Sequence, residues 1–205
     1  MTPRTEDWTM KKLVIGVFLL SLLMAAPALA ADTYTLDPVH STTVFRIRHL
    51  GVSWFQGRFN SLTGTIVFDE KNSQNSKVNL KVAADSIDTF NKQRDDDLKS
   101  PNFFNVKKFP EITFVSDKIS KKGEGDYEVS GKLTLMGVTK PVKVDARLTG
   151  MGNDPWGGQR VGFVTSFSIL RSEFGMTYDL PTLVGNDVIL TIGAEGVKEK
   201  KQGGK

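Results

Sequence analysis

The residues whose types invite chemistry are few. His40 and His49 are the two histidines of the chain, and Asp37 stands three residues before the first. Together they are imidazole and carboxylate donors, but an imidazole metal site needs a further ligand held at defined geometry. Asp37, His40 and Ser41 also suggest a nucleophile triad. Neighbouring residues on a strand point to opposite faces, and the chain has no G-x-S-x-G elbow, so the spacing does not assemble one. A structurally satisfied histidine is the expectation, with no catalytic and no metal-ligating residue. Gly125–Lys132 carries the glycines and lysine of a phosphate loop, but the spacing is too long and Leu133 stands where Ser or Thr is needed. The run Asp95, Asp96, Asp97 lacks the alternating ligands of a calcium loop. Zero cysteine excludes a disulfide framework, a thiolate metal site, covalent haem and a lipidated N-terminal cysteine. The 27 basic and 23 acidic residues interleave rather than form a stripe, so nucleic acid is not an expected partner.

With no reactive set, the question passes to the elements. Residues 1–30 read as a signal peptide. Lys11 and Lys12 precede an apolar run from Leu13 to Leu23, and Ala28 and Ala30 make a small-x-small cleavage site. The run is too short to span a bilayer. Glu6 and Asp7 suit such a segment poorly, which favours Met10 as the start. Export places the remaining chain in the periplasm. From Ala31 onward it has 175 residues with 24 basic and 21 acidic side chains, a net charge of +3. A domain of that size buries about 70% of its unfolded surface, enough for a core without staples. Residues 31–195 read as that single domain, and the polar, glycine-rich residues 196–205 as a flexible tail.

Period-two alternation dominates the domain. It runs through Val78, Leu80 and Val82, then Tyr127, Val129, Leu133 and Leu135. It recurs through Val142, Val144, Ala146 and Leu148, through Val161, Phe163, Thr165, Phe167 and Ile169, and through Val188, Leu190, Ile192 and Ala194. Further strands fit Thr42–Leu50, Gly64–Asp69 and Glu111–Ser120. Loops are expected over Lys71–Ser76, Lys121–Gly125 and Gly150–Pro155, and a tight hairpin at Met136–Thr139. One helix is expected, capped by Asn91, with Asp95, Asp96 and Asp97 favouring its N-terminal half and Pro101 stopping it. The fold class is therefore all-β, a sandwich or a closed barrel. Long strands rich in Phe45, Phe68, Phe114, Phe163 and Phe167 favour the barrel. Parity leaves open whether its interior is a filled core or a hollow able to hold a small ligand.

Ordered motifs across nearly the whole chain now carry a resemblance. They are Leu36-Asp37-Pro38-Val39-His40-Ser41, Arg48-His49-Leu50-Gly51, Gly57-Arg58-Phe59, Ser86-Ile87-Asp88-Thr89, Arg94-Asp95, Phe103-Phe104-Asn105-Val106, Phe109-Pro110-Glu111-Ile112-Thr113-Phe114, Arg171-Ser172-Glu173-Phe174-Gly175-Met176 and Val184-Gly185-Asn186-Asp187. The most specific is Gly131-Lys132-Leu133-Thr134-Leu135-Met136-Gly137-Val138-Thr139-Lys140-Pro141-Val142. The sequence resembles the YceI-like family of periplasmic polyisoprenoid-binding proteins. One departure is Asp96-Asp97 after Arg94-Asp95, where family members often carry a histidine before the Leu98 equivalent.

The resemblance implies an extended, lipocalin-like antiparallel barrel of about eight strands with one short helix. It implies a non-enzymatic, cofactor-free protein that binds a long-chain isoprenoid lipid, a polyprenyl phosphate or a prenylated quinone precursor, for transport, storage or scavenging. The apolar lumen would then be lined by Phe45, Ile47, Phe68, Leu80, Val82, Phe114, Leu133, Leu135, Val144, Phe163, Phe167, Ile169 and Leu190. Arg48, His49, Arg94 and Arg171 are candidates for the head group; the alternative for each is structural pairing with Asp37, Asp95 or Glu173. A fatty acid or fatty amide ligand in a stress protein, or an enzyme acting on such a lipid, are the alternative functions. Delivery of lipid implies transient contact with a membrane or a membrane protein, and monomer and homodimer both remain open.

Overall fold

The computed structural model describes residues 31–199; the expected signal segment and residues 200–205 of the expected tail lie outside the described residues. Eleven strands and one α-helix follow in the order β1 (Asp32–Leu36), β2 (Thr42–His49), β3 (Ser53–Phe59), β4 (Leu62–Phe68), β5 (Lys77–Ala83), β6 (Ile87–Asp88), α1 (Lys92–Leu98), β7 (Glu111–Lys121), β8 (Asp126–Leu135), β9 (Val138–Asn153), β10 (Gln159–Leu170) and β11 (Val184–Lys198). Every pairing is antiparallel. The eight strands β1, β4, β5, β7, β8, β9, β10 and β11 hydrogen-bond in that order and close on themselves through β1 and β11. The fold is the expected lipocalin-like barrel.

Closure depends on the length of β11. Its first part pairs with β2, from Val184 opposite His49 to Gly193 opposite Thr42. Its last part pairs with β1, from Gly196 opposite Leu36 to Lys198 opposite Tyr34. The β2–β3 hairpin therefore extends the wall beyond β1, and β3 has a further partner, β6, only at Arg58 and Phe59. Gly196–Lys198 belong to this seam rather than to a frayed tail, a correction to the sequence reading. Their backbone groups pair on both sides, which a polar, glycine-rich composition does not reveal.

The strands obey parity. In β8, Tyr127, Val129, Leu133 and Leu135 are buried while Lys132 is exposed. The turn after it has Met136 and Gly137 both at positive φ, the geometry of a two-residue hairpin matched to strand twist. Strand β9 is longer than the alternation suggested: Gly150–Asn153, read as loop, continue the ladder against β10. Three strands escaped the pattern search: β1, β3 and the two-residue β6. β1 is short, and in β3 the inner face reads Phe55, Gly57, Phe59, with the alternation broken by a glycine. The ring of Phe45 occupies the space of the missing side chain, 2.4 Å from where a Cβ at Gly57 would stand.

Helix α1 forms where expected, its N-terminus capped by the Asn91 side chain accepting from the Arg94 amide. It is only seven residues long. Asp96 and Asp97 consequently fall in its last turn, where the dipole disfavours them. Asp95 does other work, accepting from the Thr89 amide and hydroxyl and tying the helix to the segment before it.

Candidate functional site: a lumen with one mouth

The barrel encloses an apolar cavity of about 490 Å³. All thirteen apolar residues expected inside line it: Phe45, Ile47, Phe68, Leu80, Val82, Phe114, Leu133, Leu135, Val144, Phe163, Phe167, Ile169 and Leu190. They come from β2, β4, β5, β7, β8, β9, β10 and β11, so one face of eight strands converges on one space. Sequence reasoning missed Thr43, Phe55, Phe59, Leu62, Ile66, Leu98, Phe103, Phe104 and Met176, which also line it. Thr43 and Ile66 sit on correct parity within short apolar runs and could have been found. Phe103 and Phe104 lie in a loop, where periodicity carries no information; Phe104 meets Phe59 edge-on at 5.5 Å.

One end of the cavity is sealed by aromatic rings. Phe68 packs edge-on against Tyr127 at 5.6 Å and against Phe163 at 5.2 Å. Beneath them Tyr34 and Val161 are fully buried where β1 closes on β11. Burial pushes the Tyr34 and Tyr127 hydroxyls above the ordinary phenol range, so both are neutral. The other end opens to solvent. The exposed residues among the lining are Arg48, His49, Ser53, Trp54, Arg94, Asp97 and Leu183, and all belong to this end.

All four basic residues expected near a head group stand at this mouth. None pairs with the acids considered for them. Arg94 donates to the hydroxyl of Thr89 at 2.9 Å and to its carbonyl at 2.7 Å, with its guanidinium 4.2 Å from the ring of Phe55. Arg48 lies over Trp54 at 5.2 Å. Arg171 is buried, with 2% of its surface exposed, and donates to the carbonyls of Gly185 at 2.8 Å, Val184 at 3.1 Å and Met176 at 3.2 Å. No carboxylate lies within ion-pair distance of it among the described residues. Burial lowers its proton affinity, and the nearby Asp179 opposes that shift. Arg171 thus fixes the irregular start of β11 and brings a positive charge, held by carbonyls rather than by a direct ion pair, to the edge of an apolar lumen.

Among the described residues, one buried side-chain polar atom has no hydrogen-bond partner: the hydroxyl of Thr43, which lines the cavity. Asp37 and His40 lie elsewhere, in the loop between β1 and β2. Asp37 accepts from His40 at 2.8 Å and from Arg160 at 2.8 Å, while Arg160 also reaches Glu195 at 2.6 Å and Asp154 at 3.1 Å. The Arg160 guanidinium and then His40 hold the Asp37 carboxyl well below the usual carboxylate range. Asp37, His40 and Glu195 are close enough to share a cation, but Arg160 already supplies their positive charge. Ser41 exchanges hydrogen bonds with the Glu195 backbone rather than with His40, so no triad forms.

A closed antiparallel barrel with an apolar lumen that opens at a mouth lined by basic side chains is a lipocalin-like architecture. The model of the YceI-like domain matches residues 34–196, and the chain belongs to that family. A UPF0312 protein of Pectobacterium atrosepticum is 44% identical over 93% of this chain and all of its own length. Protein YceI of Salmonella arizonae is 44% identical over the same shares. Among solved structures, the YceI protein of Campylobacter jejuni is 30% identical, covers 75% of this chain and 90% of its own, and superposes with a TM-score of 0.65. BcnA of Burkholderia cenocepacia shares the fold at a TM-score of 0.71 with 23% identity, over 78% of this chain and 98% of its own.

Proposed function

We propose that this protein is an exported, periplasmic, non-enzymatic carrier that holds one long isoprenoid lipid in its lumen, chain inward and head group at the mouth. The cavity carries the reading. The chain leaves about 490 Å³ of hydrocarbon-walled space unfilled by its own side chains, against the close packing of an ordinary domain interior, and a bound chain would supply the missing contacts. The walls are hydrocarbon and aromatic, which suits a methyl-branched chain, and each Å² buried contributes about 25 cal/mol. Arg171, Arg48, His49 and Arg94 suit an anionic or hydroxyl head group at the rim. A polyisoprenoid-binding domain from Saccharophagus degradans, 14% identical with a TM-score of 0.63, has the same barrel and supports the reading by fold. Loading and unloading then require contact with a membrane or a membrane protein.

One observation favours a second ligand class. The unpartnered Thr43 hydroxyl suits a fatty amide, which can offer a hydrogen-bond partner inside the lumen. Mass spectrometry of an organic extract of the purified periplasmic protein decides. A long-chain prenyl lipid near one per chain is the expected result. A fatty amide selects the second reading. Empty protein that takes up neither prenyl chains nor fatty amides overturns both.

A further inference from the structure

We propose that the open end of the barrel is a bilayer-docking surface, with the β2–β3 tip seated in the interface of an anionic membrane and the mouth facing the leaflet. The inference rests on the lumen reading for its purpose and on separate residues for its evidence. The tip is the turn Leu50-Gly51-Val52. Val52 is 82% exposed and Leu50 51% exposed, and no side chain of the barrel covers them. Two more exposed apolar residues flank them, Trp54 on β3 and Leu183, whose carbonyl accepts from the Leu50 amide at 2.9 Å. Both Trp54 and Leu183 line the cavity mouth, so this apolar rim is continuous with the lumen wall.

Charge selects the occupant. From Pro38 to Phe68 the chain contains no acidic residue, while Arg46, Arg48 and Arg58 project from the hairpin. Arg58 is neutralised by Asp88 at 2.9 Å. Arg46 and Arg48 have no carboxylate within ion-pair distance among the described residues, and both guanidiniums lie over Trp54, at 5.9 and 5.2 Å. Exposed aliphatic side chains at a tip, a tryptophan behind them and two free arginines beside it match, in order, the acyl boundary, the interfacial region and the anionic head groups of a bilayer. The acids that line the mouth, Asp97 and Asp179, belong to α1 and to the segment before β11, and exposed Asp187 lies on β11 next to Val188, the partner of Ile47; none is on the hairpin. The sealed end also exposes apolar residues, Val39 and Trp156, but Asp37, Asp154 and Glu195 surround them and no opening lies there.

The test uses lipid-loaded protein cleaved after Ala30 and vesicles of phosphatidylcholine with or without phosphatidylglycerol. Co-sedimentation with the anionic vesicles is expected, weakened several-fold by high salt. Val52→Asp and the double variant Arg46→Glu, Arg48→Glu should each lower it about tenfold or more. Trp156→Asp should leave it unchanged. In a Trp156→Phe background, Trp54 emission should shift to the blue on vesicle addition. Circular dichroism and the lumen lipid, measured by mass spectrometry, verify that each variant folds and stays loaded. Binding indifferent to phosphatidylglycerol or to Val52→Asp overturns the proposal. So does loss of binding in Trp156→Asp alone, or a dimer that Val52→Asp dissolves, which assigns the tip to a second copy. Loaded protein that ignores anionic vesicles overturns docking alone, whereas protein that docks yet neither carries nor takes up a prenyl lipid overturns the carrier reading alone.

Discussion

Overfilling the lumen distinguishes a hollow from a core by the sign of a stability change. Val144 is buried on β9 and lines the cavity opposite Val129 of β8. Val144→Phe keeps a strand-forming residue and adds on the order of 50 Å² of apolar surface, worth about 1.3 kcal/mol if the space beside it is free. Part of that is offset by lost rotamer freedom, leaving lipid-stripped protein about 0–1 kcal/mol more stable. In a packed core the same change forces strained rotamers and costs about 1–3 kcal/mol. The two readings thus differ by about 1–4 kcal/mol, or some 2–15 °C in Tm for a domain of this size. Urea denaturation of stripped protein measures it. A binding assay with a fluorescent polyprenol should show at least a tenfold loss for the variant, because ring and chain compete for one space. Leu190→Trp, on the opposite wall, repeats the test at a second position. Destabilisation by more than 1 kcal/mol in both variants, with prenol affinity unchanged, would refute the hollow lumen.

Thr43→Val removes the unpartnered hydroxyl without changing shape; stripped protein should gain about 1 kcal/mol, and a hydrogen-bonding ligand such as a fatty amide should lose affinity while a prenol does not. Arg171→Met leaves three carbonyls without their donor, so it should cost about 2–4 kcal/mol in denaturation and weaken a polyprenyl phosphate more than the matching prenol; equal loss for both ligands refutes a head-group role. The carboxyl of Asp37 is lowered in the folded state, so its contribution is present above the ordinary carboxylate range near pH 4 and is lost as pH falls. Asp37→Asn should therefore destabilise near neutral pH by an amount that shrinks below about pH 4, as read by urea midpoints.

The wall of the lumen was legible in the sequence because a strand repeats every two residues. Parity alone sorts Phe163, Phe167 and Leu190 from Ser166, Ser168 and Thr191. The turn at Met136 and Gly137 and the cap at Asn91 were equally local, each set by a few adjacent residues. What parity cannot carry is distance across the barrel. The same inward Phe and Leu would fill a tight core or line a hollow, and only the ring of eight strands sets the space between opposite walls. Gly57 hid β3 because its inner space is filled by Phe45, a residue of another strand. Arg171 read as a head-group candidate or a member of some ion pair; the fold instead bends β11 so that its carbonyls enclose the guanidinium. Gly196–Lys198 looked like tail because their order comes from β1, more than 150 residues earlier. Local periodicity is written in neighbouring side chains, whereas closure, cavity and charge environment arise from pairings between residues far apart in the chain, and so only the tertiary structure decided them.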